Sequence, residues 1–367
     1  MSKAAQLAAL IGSGQAQGDK NLIINGAMQV AQRGTSTSSA TSAAYHAVDR
    51  FDQNIVTMGA YTISQSTTAP TDFTTSLKMD VTTADASPAS GDVVAIRTKL
   101  EGLNLQQLNF GTSNAKSITI SFYVKSNKTG TYVVSSYLAD TGKQWGQTYT
   151  IDSANTWERK TITWQGSSNS SVINNDSGAG LIFTWYLGAG TGRTSGTAQT
   201  DWTAYATTGE AVGQTVNIAD STANEFFITG IQLEVGDVAT PFEHESFAET
   251  LQKCRRYFIG VGNIYSDFWG STGSQMVGVY IGASGNNGYM PINVLNPTQM
   301  RATPTAAING TPKFTDFGAN RNNITGVGIT SQHLINFTYD GSQRTANEGI
   351  GVNASDGGVG ISLSAEL

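Results

Sequence analysis

Residues 230–244 read Gly-Ile-Gln-Leu-Glu-Val-Gly-Asp-Val-Ala-Thr-Pro-Phe-Glu-His. Apolar and polar side chains alternate from Ile231 to Val235, the period of a strand with one buried face. Gly236-Asp237 is a turn dipeptide, and Pro241 cannot continue a sheet ladder. Ser246 follows, with Glu249 three residues on, the pattern of a capping box. A helix is expected over 246–258, with Phe247, Leu251, Cys254 and Phe258 on one stripe. Glu245 and Glu249 lie at its start and Lys253, Arg255 and Arg256 at its end, as the helix dipole favours. The stretch therefore reads as a junction: a last strand, a stop, and a helix leading into a second body.

Upstream the same period recurs. Phe227, Ile231, Leu233 and Val235 read as one buried face with Thr229 among them, and Glu234 reads as solvent-facing. In the segment 117–125, Ile118, Ile120, Phe122 and Val124 face one way and Thr119, Ser121 and Tyr123 the other, a strand with one wet face. The segment 131–138 follows Lys128-Thr129-Gly130 as the return strand of a hairpin would. Leu181, Phe183, Trp185 and Leu187 form another buried face. Residues 21–26 read as a short apolar run closed by an Asn-Gly turn, and 34–44 as an exposed loop. Residues 165–180 and 188–224 read as long surface loops. Many short strands with no helical period between them predict a β-sandwich over 21–243.

Strand patterns return after the helix, with Asp340-Gly341 as a hairpin turn signal. The chain is thus expected to be all-β, with a short N-terminal helical attachment segment (1–20), a sandwich domain (21–243), a connecting helix (244–257) and a smaller β-sandwich tip (258–367). Residues 4–11 place Ala4, Leu7, Leu10 and Ile11 on one helical face before Gly12 and Gly14 end it. So short a helix does not hold alone in water. Leu7, Leu10 and Ile11 are therefore expected to attach to a partner surface.

Composition narrows the function classes. At 367 residues the chain exceeds one ordinary core. Charged residues make up 13%, so Ser, Thr, Asn, Gln and Gly must provide the solvation, which suits a turn-rich secreted or virion protein. Its 41 glycines follow no Gly-X-Y period, which excludes collagen. A net charge of −6 and the lack of any Lys/Arg stripe argue against nucleic acid. The single cysteine, Cys254, permits no intrachain disulfide and sits on the apolar stripe as a small hydrophobe. No apolar run approaches the roughly 18 residues of a membrane span, so no membrane insertion is expected. Gln6 interrupts the Ala-rich N-terminus, and the chain is expected to be made in the cytoplasm without a signal peptide.

Patterns for chemistry are sparse. The histidines are His46, His244 and His333, none at metal-ligand spacing. There is no Gly-x-Ser-x-Gly elbow. Gly188–Arg193 is glycine-rich but lacks the Lys-Ser/Thr of a phosphate cradle. Asp152, Asp201 and Asp237 sit beside turn residues, where Asp serves the backbone. No coil repeat of a polysaccharide-cleaving β-helix is present. No catalytic residue, metal or cofactor is expected. Aromatics are more informative. Trp185 reads as core, whereas Trp145, Trp157 and Trp202 lie among polar residues as candidate stacking platforms for sugar. Tyr265, Phe268, Trp269 and Tyr289 lie beside Ser/Gly/Asn loops that include Asn286 and Asn287. Aromatics among small polar residues are the mix of recognition surfaces, and a receptor contact is expected there.

Several segments together resemble tail-fibre and receptor-binding appendage proteins of bacteriophages, especially marine phages. The stretch 21–34, Asn-Leu-Ile-Ile-Asn-Gly-Ala-Met-Gln-Val-Ala-Gln-Arg-Gly, followed by Val48-Asp49-Arg50-Phe51, resembles the opening of their sandwich module. Residues 230–244, with Gln232 to Gly236 and Ala239 to Glu243, resemble its close, and Cys254-Arg255-Arg256-Tyr257 continues it. Met300 to Pro304 and the terminal Ala365-Glu366-Leu367 resemble the following tip domain. Such modules are similar in outline to jelly-roll carbohydrate-binding domains. The resemblance implies a homotrimer on the virion. Other tail or capsid proteins would hold its N-terminus, and its far end would meet a host surface glycan or protein. It carries no binding residue over. A capsid decoration or tail connector protein is the alternative, and a polysaccharide depolymerase a further one.

Overall fold

The computed structural model describes residues 20–168 and 171–261. Beyond these it describes 274–275, 280–281, 287–291, 300–308, 312–316, 319–331, 334–339, 351–354 and 361–367. Twelve strands make up its first part: β1 (Ser36–Ala40), β2 (Asp52–Val56), β3 (Ala60–Ser66), β4 (Ser76–Thr83), β5 (Val93–Glu101), β6 (Ile118–Ser126), β7 (Gly130–Leu138), β8 (Lys143–Ile151), β9 (Glu158–Trp164), β10 (Ala179–Ala189), β11 (Thr203–Ala204) and β12 (Glu225–Val235). They form two six-stranded antiparallel sheets, ordered β1-β3-β4-β12-β6-β9 and β11-β8-β7-β10-β5-β2. The chain is all-β and this part is a β-sandwich in which successive strands change sheet at most connections, as in a jelly roll.

The core lies between the sheets. Ile118, Ile120, Phe122 and Val124 of β6 meet Leu181, Phe183, Trp185 and Leu187 of β10, all fully buried, as their alternation predicts. Phe122 and Trp185 pack edge to face with ring centroids 5.8 Å apart. Each such side chain contributes about 1.5–3 kcal/mol on burial.

Several expectations are corrected. The segments 118–126 and 130–138 are not a hairpin: β6 pairs with β12 and β9, whereas β7 pairs with β8 and β10. Both strands turn an apolar face into the same core, so the turn at Gly130 must carry the chain across the sandwich. The polar face of β6 is not wet. Thr119 and Ser121 are buried because Gly236 accepts a hydrogen bond from the Thr119 hydroxyl and Arg159 reaches over to Ser121 and Thr240. Residues 36–40 are an edge strand rather than an open loop.

Residues 21–26 form a turn, not a strand, and it completes β12. β4 pairs with β12 only at positions 225–228. From there the Asn21 amide side chain donates to Ile231 O (3.1 Å) and accepts from Leu233 N (3.0 Å), while Ile231 N reaches Gly26 O (3.0 Å). β12 itself holds a bulge. Its register against β6 slips between Thr229 and Gln232, and Gly230 adopts φ +59°. The extra residue inverts the inside–outside parity. Phe226 and Ile228 before it, and Ile231 and Leu233 after it, fill the core, whereas Phe227 faces outward. Trp157, Lys78 and Lys125 cover Phe227 there. Glu234 is likewise buried rather than solvent-facing: it pairs with Lys20 at 3.3 Å and accepts from Thr240 N and Oγ1.

Helix α1 spans Phe247–Arg255, and the Ser246/Glu249 capping box is present in both directions. Its inward face is Thr250 and Cys254; Phe247, expected on the stripe, is 56% exposed. The helix stops at Arg255, so Tyr257 and Phe258 are buried by the strand that follows. That strand, Phe258–Val261, pairs with Ile361–Ser364, which pairs in turn with Thr305–Ile308. A further seven-stranded sheet comprises Ser274–Gln275, Gly351–Ala354, Pro312–Asp316, Ala319–Ser331, Leu334–Tyr339, Asn287–Pro291 and Tyr280–Ile281.

A dense polar joint holds the three-stranded sheet to the sandwich. Glu101, at the end of β5, accepts from Arg256 Nε and Nη2 (2.8 and 2.7 Å) and from the Tyr257 hydroxyl (2.5 Å). Arg50 lies over the Tyr257 ring (3.4 Å) and Arg33 over that of Phe258 (3.6 Å). Both arginines also pair with Glu366. Gln32 Nε2 bridges Asp49 Oδ2 and Phe258 O.

Candidate functional site

On the second sheet, every residue between two core residues points away from the sandwich. Registry therefore builds two outward rows across four strands. Lys99, Ile182, Tyr137 and Gln144 stand side by side in one, and Arg97, Thr184, Ser135 and Gly146 in the next, with Asp52 opposite Arg97. A third row, Ala95, Tyr186 and Val133, is roofed by Ala211 and fully buried apart from a sliver of Tyr186. The roof is the segment 190–217, which was expected as open loop. It begins with a helical turn at Thr191–Thr194 and is pinned by Gly196 N to Thr208 O, Ala211 N to Arg193 O, and Gln199 to Gly146 and Gly209. The first row lies beyond it. Tyr137, Ile182, Lys99 and Arg97 all keep part of their surface in solvent.

Tyr205 stands at the rim of the roof. Its backbone N–H donates to Gly142 O at 2.8 Å, which fixes the chain beside the short strand β11. Its ring meets Tyr137 edge to face at 5.4 Å and remains 46% exposed. Its hydroxyl donates to Glu210 Oε1 at 2.5 Å, and Glu210 also pairs with Arg193. Partial burial, with that bond to a carboxylate, raises the Tyr205 pKa and keeps the phenol neutral. At the other end, Arg97 Nε and Nη2 donate to the two Asp52 oxygens at 2.9 Å each, a bidentate pair, and Lys99 lies 3.4 Å from the same carboxylate. The face thus combines aromatic surface with donors and acceptors held in fixed geometry, the equipment of a small-molecule or glycan contact.

The residues singled out in the sequence fall elsewhere. Leu7, Leu10, Ile11, Tyr265, Phe268, Trp269 and Asn286 lie outside the described residues. Asn287 and Tyr289 lie on the strand Asn287–Pro291, Tyr289 opposite Tyr280 on one side and Asn336 on the other. Trp145 and Trp202 are not platforms. They are buried, meet edge to face at 6.1 Å, and spend their indole N–H groups on Gln199 O and Gln165 O. Trp157 stays partly exposed over Phe227. His244 packs on Phe73 and Phe242, and His46 contacts Ser42 O at 3.1 Å. Among the described residues no group of three His, Cys, Asp or Glu is placed to hold a metal. Asp201 accepts from Trp202 N, the local backbone role expected of it.

Tyr137 and Tyr205 escaped the sequence reading. Tyr137 was legible in principle, as the aromatic on the outward parity of the strand 130–138. Tyr205 and the Asp52–Arg97 pair were not, because 45 residues separate that pair and no local pattern marks it.

No family model and no curated protein matches the chain. Solved structures do resemble it. The enzymatically active domain of bacteriophage CBA120 tailspike protein 4 shares 14% identity over 59% of this chain, with a TM-score of 0.31. The match spans 21% of that tailspike chain. The C-terminal family 22 carbohydrate-binding module of Clostridium thermocellum Xyn10B shares 11% identity over 55% of this chain and 99% of the module, TM-score 0.29. TmCBM61, solved with β-1,4-galactotriose, shares 8% over 59% of this chain and 99% of that one, TM-score 0.27. At such scores a functional reading rests on this chain's own side chains.

Proposed function

We propose that the chain is a structural protein of a phage tail fibre or similar virion appendage, and that it binds host-surface glycan through the outer face of its second sheet. The observation that carries the glycan reading is the Tyr137–Tyr205 ring pair, with the Asp52–Arg97 pair on the same outer sheet face. Aromatic faces take the apolar side of a sugar ring, and a rigid ion pair offers fixed acceptors and donors to its hydroxyls. The appendage reading rests on the segments 21–34, 48–51 and 230–257, whose resemblance to tail-fibre modules is one of order and spacing. In this reading the chain is not an enzyme. It forms a homotrimer, attaches to the particle through Leu7, Leu10 and Ile11, and multiplies a weak single-site affinity by its copy number. The loops with Tyr265, Phe268, Trp269, Asn286, Asn287 and Tyr289 are a second candidate contact with the host receptor.

The test is affinity electrophoresis of the full chain through gels cast with host-cell polysaccharide. The wild type should be retarded, and Tyr137→Ala should weaken retention by roughly tenfold, equivalent to about 1.4 kcal/mol. An unretarded wild type, or an indifferent Tyr137→Ala, overturns the assignment of this face.

A further inference from the structure

The charges of the outer face restrict which glycans it can take. Arg97 and Lys99 stand on this face and Arg193 on its roof. Each of these cations is already engaged. Arg97 is held by Asp52 through two hydrogen bonds of 2.9 Å. Lys99 shares the same carboxylate at 3.4 Å and donates to Leu367 O. Arg193 is paired with Glu210. Asp52 is itself nearly buried, with its side chain 5% exposed, so solvent does little to weaken its hold. An incoming carboxylate or sulfate would have to displace Asp52 or Glu210 from its cation, or sit beside it as a like charge. Either sets the incoming anion against a carboxylate already in place and reduces what the new pair returns.

Uncharged hydroxyls face no such barrier. A carboxylate has about four acceptor sites and a guanidinium five N–H donors. The bidentate contact uses two of each, so Asp52 and Arg97 together still offer an acceptor and a donor side by side. Two hydroxyls on adjacent carbons of a pyranose match that arrangement, one donating to Asp52 and the other accepting from Arg97. Tyr137 lies two strands from Arg97 on the same face, roughly 10 Å at the usual strand spacing, within reach of the neighbouring sugar ring.

We propose that this face selects uncharged glycans, reading vicinal hydroxyls with the Asp52–Arg97 pair while a sugar ring lies against Tyr137 or Tyr205, and that it rejects uronate- and sulfate-bearing polymers. This rests on the glycan reading above and adds the charge class of the ligand. Asp52 is then the specificity determinant, since it holds two cations at once.

The probe is an array of neutral gluco-, galacto-, manno- and xylo-oligosaccharides with their uronate and sulfated counterparts, read with the full-length protein. Hits are followed by calorimetry between about 50 mM and about 500 mM NaCl, a range over which exposed charge attraction is largely screened. The wild type should bind neutral members only, with affinity constant within about twofold across that range. The isosteric Asp52→Asn, which frees Arg97 and Lys99, should lose roughly tenfold for the neutral ligand, and it should acquire uronate binding that weakens with salt. Wild-type binding confined to acidic members overturns the neutral class and leaves the glycan reading standing. Binding to no member overturns both. Should Asp52→Asn fail to fold, judged by its melting curve, the wild-type array alone decides.

Discussion

Asp49 shows how one buried carboxylate sets a pH dependence. It is fully buried in the joint, accepts from Gln32 N and Nε2, and lies 3.4 Å from Arg33. Burial outweighs these partners and pushes its pKa up from 3.8 to about 6. A folded-state value above the unfolded one means that protonation favours the fold. The stabilisation is complete below about pH 4 and is lost as pH rises through about 6. That gap of about two units corresponds to roughly 3 kcal/mol. Glu158 and Glu234, whose values are lowered despite partial burial because lysine and hydroxyl or backbone partners hold their ionised forms, act in the opposite direction at lower pH. Chemical denaturation of wild type against Asp49→Asn across pH 4–7 isolates the first effect. The difference between the two should change across this window, and a constant difference would exclude Asp49 as its source. Asp49 and Arg50 belong to a motif visible in the sequence. What was not visible is that they serve the joint rather than a ligand, because Arg50's partners Tyr257 and Glu366 are more than 200 residues away.

Among the elements, β12 carries most of the lesson about legibility. Its alternation from Ile231 onward is the stretch that marks the fold, and Leu233 is fully buried as that pattern requires. Leu233→Ala should therefore cost about 2–5 kcal/mol in equilibrium unfolding. Upstream of Gly230 the same reading chose the wrong face, since a bulge adds a residue without changing the composition of the strand. The polar sides of β6 and β12 misled for a related reason. Thr119 and Glu234 look solvated by type, yet segments 20–21 and 236–241 come back to cover them. Gly230 is not replaceable. A Cβ there would approach Phe73 Cζ at 2.6 Å and Tyr123 Cδ2 at 2.9 Å, on a backbone with φ +59°. Gly230→Ala should lower stability by more than about 1 kcal/mol, because the strained φ and the ring contacts both oppose it. A melting temperature equal to wild type would show that the bulge relaxes. The capping box of α1, by contrast, was fully legible, being a matter of residues three apart.

For the whole molecule, the proposed glycan face is how a chain with 13% charged residues would achieve specificity. Recognition by one such face would be weak, and the proposed trimer would compensate. Light scattering with size exclusion should return three times the 38.6 kDa chain mass. A monomeric mass would leave each face to bind alone and remove the avidity argument.

The joint also bears on inheritance. Phe258–Val261 leaves the sandwich next to Ile361–Ser364, which returns, and Glu366 locks between Arg33 and Arg50. The sequence between these two strands is thus bracketed at one place in space, although its ends are about a hundred positions apart in the gene. Recombination that exchanged the bracketed stretch would need compatibility at that place and at the contact of Arg301 with Ser177 O. The sandwich, with its proposed glycan face, would pass unchanged from one lineage to the next while the bracketed part diverged.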